Sequence, residues 1–237
     1  MPATGPSAAL VIIGQELLSG KVADQNVSFL ASSLFGLGVE VRRVLFVADR
    51  AEDIVEALSW VQPRHDYIFT TGGMGPTHDD VTLAAVAKAL GRALVHSPSL
   101  EHLLETLYGL QAGPERTRLS RIPEGAELFY PEGGRFPQLK VENVYLFPGV
   151  PAIVRSKFQA IADRFRSDPI YSEVMELERS ELEIVHLLDA AVEAHPRVSL
   201  GSYPQYEEGK ERVILTLDSR DRGELTRALD TLRRLLL

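Results

Sequence analysis

The sequence contains no cysteine, no long apolar run and no concentration of basic residues. The absence of cysteine excludes disulfides, thiolate metal sites and a cysteine nucleophile, and it suits a reducing compartment. The longest apolar stretch near the start, AALVII at residues 8–13, is too short to span a membrane and lacks the basic flank of a signal peptide. We therefore expect a cytoplasmic location and no membrane partner.

Positive charge is also scarce. The 237 residues include 25 Lys and Arg against 33 Asp and Glu, which gives a net charge of -8, and the basic residues are scattered. No basic stripe is available to neutralise a phosphodiester backbone, so nucleic acid is not expected as a partner. With 45% hydrophobic and 24% charged residues, the composition is that of a globular protein with one good core and a smaller unit.

Apolar runs that suit buried strands alternate with segments of helical periodicity over the first two thirds of the chain. Strands are predicted at 8–13, 39–47, 66–71 and 143–147, and helices at 26–34, 51–61, 79–90, 99–110 and 150–165. Strands that alternate with helices imply right-handed crossovers and a mostly parallel sheet covered on both faces. The pattern predicts an α/β domain over residues 1–169.

The pattern changes after Asp168-Pro169. The remaining residues contain the run VMELER, two helical segments, and the strands VSLGSYP and ERVILTLDS. These two strands are joined by the polar segment QYEEGK, an arrangement that is typical of a hairpin. We expect a small α+β domain over residues 170–237.

The loop TTGGMGPTHDD at residues 70–80 follows a predicted strand, and ligands of doubly wound sheets bind beyond the carboxyl ends of the strands. Its glycines allow the backbone to approach a phosphate closely. Thr77 and Asp80 have the spacing of a capping box, which would place a helix N-terminus and its free amides at the loop. The alternative is structural: the glycines form a tight turn, and Asp79 and Asp80 complement the helix dipole.

Acidic residues beside a phosphate site indicate a bridging cation, because divalent cations take one or two carboxylates and complete their shell with water and substrate phosphates. Asp79 and Asp80 are the nearest candidates, Asp49 ends the segment VAD, and Glu16 lies in the first loop. Such a site would hold Mg²⁺, Mn²⁺ or Co²⁺, with a monovalent cation as a further candidate, and would activate water. Each acid taken singly also suits a cap, a turn or a solvated position.

Two other loops offer ligand contacts. In FPGVP, Pro148 fixes φ and Gly149 keeps the backbone bare, which suits either a wall of a ligand site or a purely structural turn. Gly14 opens the loop GQELLSG, and Asn26 either contacts a ligand or caps its helix. The six histidines show no paired spacing for a metal, and no G-x-S-x-G elbow is present.

In order along the chain, GQELLSGKVADQN, VAD and TTGGMGPTHDDVT resemble the molybdopterin-binding (MoaB/Mog-like) domain, in particular that of CinA proteins. The later segments RFPQLKVENVYLFPGVP, VSLGSYP and LTLDS are similar to the N-terminal domain of eukaryotic FAD synthases. The resemblance implies a three-layer α/β/α fold with a mostly parallel sheet for the first domain and a small α+β domain after it. It also implies a homo-oligomer.

By residue, the resemblance assigns the catalytic acids to Asp49 and Asp80, with Gly72, Gly73, Met74 and Gly75 around the ligand. The loops themselves add the ligand candidates Gly14, Glu16, Asn26, Pro76, Thr77, Pro148 and Gly149. Glu16, Asp79 and Asp80 form the expected metal set. The segments ERTRLSRIPEG and GGRFPQL depart from the pattern of bacterial members, which favours the FAD-synthase-like branch over the pterin branch.

The resemblance also implies activities. Mog-like proteins bind and adenylylate a pterin phosphate, CinA-type domains resemble ADP-ribose pyrophosphatases, and the FAD-synthase version is associated with hydrolysis of FAD to FMN and AMP. We expect a metal-dependent nucleotide pyrophosphatase that acts on FAD or ADP-ribose. The alternatives are a molybdopterin-binding or adenylylating protein and a non-catalytic nucleotide-binding regulator. Because the sequence ends at Leu237, NMN deamidation and FAD synthesis are not expected.

Overall fold

The computed structural model describes residues 5–109, 113–130, 136–207 and 210–236. The chain divides into two compact units, Pro6–Ser167 and Asp168–Leu237, and the second unit also includes Gly5.

The first unit alternates strands and helices as its sequence predicts. Its strands are β1 (Ser7–Ile13), β2 (Glu40–Val47), β3 (Tyr67–Thr71), β4 (Leu94–His96), β5 (Arg121–Pro123), β6 (Glu127–Phe129), β7 (Gln138–Val141) and β8 (Val144–Phe147). Its helices are α1 (Gln15–Leu18), α2 (Asn26–Gly36), α3 (Ala51–Val61), α4 (Thr82–Ala89), α5 (Pro98–Tyr108), α6 (Pro114–Leu119) and α7 (Pro151–Gln159), with 3-10 turns at Gln62–Arg64 and Ala162–Phe165.

The main sheet of this unit has the order β2-β1-β3-β8-β7-β6. Strands β2, β1, β3 and β8 pair in parallel, whereas β7 and β6 extend the sheet by antiparallel pairing. Strands β4 and β5 form a separate two-stranded ribbon. The predicted mostly parallel sheet is confirmed.

Strand β1 lies at the centre of two hydrophobic layers, because its alternate side chains point to opposite faces. Val11 packs in one cluster with Ile54 of α3 and Val86 of α4. Leu10 packs in the other with Leu30 of α2 and Phe158 of α7. Helices therefore cover both faces of the sheet, which makes the predicted three-layer α/β/α arrangement.

The second unit is a small α+β structure with its own core. It consists of β9 (Tyr171–Leu177), α8 (Glu181–Ala194), β10 (Ser199–Glu207), β11 (Lys210–Ser219) and α9 (Arg222–Leu236). The strands form an antiparallel sheet of order β10-β11-β9. The pairing of β10 with β11 confirms the predicted hairpin.

Several boundaries differ from the predicted ones. The predicted helix 150–165 ends at Gln159, the predicted helix 79–90 begins only at Thr82, and the first loop contains the one-turn helix α1. The short elements β4 to β7 and α6 carry too few residues to show a period, so the sequence did not indicate them. Across the part of the chain that the structure describes, every helix is too short or too polar to cross a bilayer.

Candidate functional site

The parallel strands β2, β1, β3 and β8 end side by side at one edge of the sheet. The chain runs from β1 to β2 on one side and then returns to β3 on the other side of β1. Such a reversal of strand order opens a crevice at the carboxyl ends, where doubly wound sheets bind their ligands. The predicted site loops all leave the sheet at this edge.

Gly72 is the point at which three of these loops meet. Its φ is 103°, and its amide donates to the carbonyl of Phe147 at 3.1 Å. A Cβ atom built on Gly72 would collide with the carbonyl oxygen of Ile13, while one built on Gly149 would lie 3.4 Å from the Cα of Gly72. The backbones after β1, β3 and β8 therefore touch without intervening side chains, which suits close approach to a phosphate.

Asn26, the first residue of α2, links this helix to the turn FPGVP. Its side-chain amide donates to the carbonyl of Gly149 at 2.9 Å, and the residue is buried. The α2 N-terminus has no side-chain cap from this residue, so of the two predicted roles the capping role is wrong. Asn26 positions Gly149 rather than its own helix.

Asp24 precedes α2 and was not predicted to contact this region. Its Oδ2 accepts a hydrogen bond from the amide of Val27 at 2.8 Å. Its Oδ1 is buried without a hydrogen-bond partner among the described residues. The signal was available, since an Asp just before a helix is a common N-terminal acceptor.

Asp49 and Glu16 lie at the end of β1. The amide of Gln15 donates to Asp49 Oδ2 at 2.7 Å, and the amide of Gly14 donates to the carbonyl of Val47 at 3.0 Å. A Cβ atom on Gly14 would lie 2.6 Å from Glu16 Oε1, so the bare Gly14 makes room for that carboxylate. The loops after β1 and β2 thus bring Gly14, Glu16 and Asp49 together.

The capping box predicted from Thr77 and Asp80 is wrong, because α4 begins at Thr82 with no side-chain cap. The backbone amide and the hydroxyl of Thr77 instead both donate to Asp80 Oδ2, at 2.8 and 2.5 Å. Thr82 then closes the loop, donating from its hydroxyl to the carbonyl of Gly72 at 2.9 Å. The loop is shaped by its own side chains, and Asp80 belongs to the loop rather than to the helix.

The glycine loop exposes some predicted residues and half-buries others. Pro76, Thr77 and Asp79 are exposed, whereas Gly73, Met74 and Gly75 are partly covered. The side chain of Thr77 and the backbone amide of Asp79 hold the pKa of the Asp79 carboxyl below its usual value.

The predicted metal set was Glu16, Asp79 and Asp80. Among the residues that the structure describes, no group of three His, Asp or Glu side chains is arranged to hold a metal ion. The donors at the loops are nevertheless carboxylate oxygens, which suit a hard divalent cation bound by one or two acids together with water and substrate phosphates. The metal set stays a prediction, in which the phosphates of a bound substrate complete the shell of the cation.

A cleft of about 590 Å³ adjoins the glycine loop on the side of α4, β4 and α6. Met74, Gly75 and Asp80 of the loop line one side, and Arg118 and Arg121 lie on the wall. A guanidinium N–H of Arg118 donates to the carbonyl of Pro76. The sequence analysis noted ERTRLSR only as a departure from the family pattern and did not predict that Arg118 and Arg121 line a cleft beside the glycine loop.

Residues 9–167 match the family described as the probable molybdopterin binding domain. The chain belongs to this family. Residues 169–237, which follow the molybdopterin binding domain, match the middle domain of FAD synthase. The predicted resemblance to both groups is confirmed.

Relatives share both parts of the chain. A protein of Archaeoglobus fulgidus is 32% identical over 96% of this chain and 96% of its own length. A probable FAD synthase of Caenorhabditis briggsae is 28% identical over 100% of this chain but only 50% of its own length, so the chain spans about half of that enzyme. The alignment with that relative covers both the molybdopterin binding domain and the second matched region of this chain.

A solved structure supports the fold. The protein CinA of unknown function from Thermoplasma acidophilum is 27% identical, with a TM-score of 0.63 over 69% of this chain and 99% of that chain. Family membership indicates a small-molecule ligand of the pterin or nucleotide class for the molybdopterin binding domain. The predicted site loops of this domain lie at the sheet edge described above.

Proposed function

We propose that the chain is a divalent-cation-dependent hydrolase that cleaves the diphosphate of a dinucleotide such as FAD or ADP-ribose. The supporting observation is the meeting of strand-end loops at bare backbone, with Gly72 against Ile13 and Gly149. Two carboxylates, Asp49 and Asp80, are held by amides of the same loops. A diphosphate requires both close backbone approach and a cation to offset its charge.

Both carboxylates are fixed in orientation through one oxygen. Gln15 holds Asp49 and Thr77 holds Asp80, while the Oδ1 atom of each has no hydrogen-bond partner among the described residues. Asp80 is thereby oriented to ligate a cation, and Asp49 to accept a hydrogen bond from water. A divalent cation bound there would offset the diphosphate charge and lower the pKa of the attacking water.

The reaction adds one water across the diphosphate. The water oxygen forms a bond to the adenylyl phosphorus, the bridging P–O bond breaks, and the bridging oxygen leaves with the second phosphate. Asp49 orients the water for this attack, and the surplus proton passes to solvent. From FAD the products are AMP and FMN; from ADP-ribose they are AMP and ribose 5-phosphate.

The test is chromatographic detection of AMP after incubation of the protein with FAD or ADP-ribose and Mg²⁺, Mn²⁺ or Co²⁺. Asp80→Asn and Asp49→Asn should each lower the rate by about 100-fold or more, since each removes a charge at the reacting group. Asp163→Asn is the matched control, because Asp163 is exposed, pairs with Arg166 and lies outside the candidate site. Absence of AMP with every cation and both substrates would contradict the proposal.

A second candidate function is binding or adenylylation of molybdopterin, which is favoured by the family match over residues 9–167. It predicts pyrophosphate release from ATP that depends on added molybdopterin. Hydrolysis of FAD without this transfer would favour the pyrophosphatase. The expected homo-oligomer and cytoplasmic location stay predictions, and sedimentation equilibrium measures the first directly.

A further inference from the structure

The cleft beside the glycine loop combines an apolar floor with a cationic wall. We name it the arginine cleft and define it by Met74, Leu83, Leu94, Arg118 and Arg121. Met74 and Leu83 pack against the hydrophobic core while remaining partly exposed. The floor therefore offers partly exposed apolar surface that a flat ring can cover.

The two arginines of the wall donate to backbone carbonyls. Arg118 donates to the carbonyl of Pro76, and Arg121 donates to the carbonyl of Leu94 at 3.1 Å. Neither forms an ion pair with an acid in the described parts of the chain. Arg116, which lies on α6 with Arg118, differs because it forms an ion pair with Glu101 at 3.2 Å. A guanidinium carries five donors, so Arg118 and Arg121 each retain donors for an anion.

The arginine cleft is continuous with the proposed reaction site. Met74, Gly75 and Asp80 belong to the glycine loop and also line the cleft. A diphosphate at the glycine loop therefore has room to extend one half into the cleft. Arg118 and Arg121 line the cleft together with His78 and the Asp80 carboxylate, and the two guanidinium groups attract phosphate there.

We propose that the arginine cleft binds the leaving half of a dinucleotide such as FAD, in which a flat ring system carries the phosphate. Its ring lies on the apolar floor, and Arg118 and Arg121 pair with its phosphate. Arginine suits this role because its planar fork matches phosphate oxygens. The place of this half in the reaction rests on the proposed hydrolysis, whereas binding of the phosphorylated ring does not.

The probes are FMN and riboflavin, which share one ring system and differ by a phosphate. Titration followed by flavin fluorescence should show FMN bound about 10- to 100-fold more tightly than riboflavin, as expected for charge-assisted hydrogen bonds. The double variant R118Q/R121Q should lose this preference while its riboflavin affinity stays unchanged. R121Q alone should lose part of it, and this variant leaves the contact of Arg118 with Pro76 intact.

The matched control is R92Q, because Arg92 is exposed, pairs with Glu142 at 3.0 Å and lies outside the cleft. It should keep the FMN preference. Equal affinity for FMN and riboflavin in the unaltered protein, no flavin binding, or an unchanged preference in the double variant would each overturn the proposal. If FMN binding depends on the arginines but no AMP is released from FAD, the cleft proposal stands and the hydrolase proposal falls.

Discussion

Gly72 follows β3 and lies against the carbonyl of Ile13 at the end of β1. It combines a φ of 103° with a Cβ position that is occupied by the Ile13 carbonyl. Gly91 also has a positive φ, 64°, but a Cβ there would meet nothing within 4 Å. A substitution at Gly91 therefore tests backbone strain alone, whereas a substitution at Gly72 tests backbone strain together with a steric collision.

We expect Gly91→Ala to lower the free energy of unfolding by about 1 kcal/mol, the ordinary cost of a left-handed alanine. Gly72→Ala should cost at least about 2 kcal/mol more, because the backbone of β1 must also move. Urea unfolding midpoints at constant m-value measure both. Equal losses would show that β1 yields without resistance at Ile13.

At the residue scale, the sequence indicated which loops lie at the carboxyl edge of the parallel strands but not how their residues pair. Glycines, prolines and acids after strands are local signals. The bond from Asn26 to Gly149 spans 123 positions, and that from Arg118 to Pro76 spans 42. Such contacts are set by the folded sheet, so no single segment carries them. The cationic wall of the cleft was missed for this reason.

At the element scale, long strands and helices were predictable because their hydrophobic periods are local. Helix boundaries were not. Seven residues of continuous α-helix would separate Phe158 from Phe165 by about 10 Å along the axis, whereas their rings stack with centroids 5.6 Å apart. Packing of both rings into the core breaks the helix after Gln159, against its local propensity. The late start of α4 has a similar origin in the Thr77–Asp80 hydrogen bonds.

Helices α8 and α9 are joined by a hydrogen-bonded cluster around Glu224. Its carboxylate accepts a hydrogen bond from Arg227 at 2.5 Å and lies 3.1 Å from Nδ1 of His195, whose Nε2 lies 3.0 Å from the hydroxyl of Thr231. The Arg227 hydrogen bond, followed by that of His195, lowers the pKa of Glu224 from 4.5 to about 2. The folded state thus releases this proton more readily than the unfolded chain.

Because the pKa of Glu224 is lower in the folded state, its ionised carboxylate stabilises the fold. This contribution is fully present above pH 4.5 and is lost as the pH falls towards about 2. Glu224→Gln should therefore be less stable than the unaltered chain at pH 6, and the difference should shrink as the pH is lowered. Thermal unfolding between pH 6 and pH 2.5 measures it. Glu193→Gln, an exposed change on α8, is the control and should match the stability of the unaltered chain at each pH. A loss of stability for Glu224→Gln that does not change with pH would contradict the assignment.

At the scale of the whole molecule, each unit has a separate hydrophobic core. Two clusters lie on the faces of the main sheet within Pro6–Ser167. A third cluster, which includes Leu177, Ile184 and Leu215, lies within the second unit. Units with their own cores commonly fold as separate cooperative domains. All predicted site residues and the arginine cleft belong to the first unit.

A chain ending at Ser167 retains both clusters of the main sheet and the complete candidate site. We expect it to unfold in one cooperative step by circular dichroism and to keep the FMN preference over riboflavin. A matched chain ending at Val150 lacks α7, whose Val154 and Phe158 are buried in the core. It should show no cooperative transition, because deleting buried aromatic and aliphatic groups costs several kcal/mol. If the longer chain also fails to unfold cooperatively, the second unit is required for the first to fold, and the site cannot be assigned to the first unit alone.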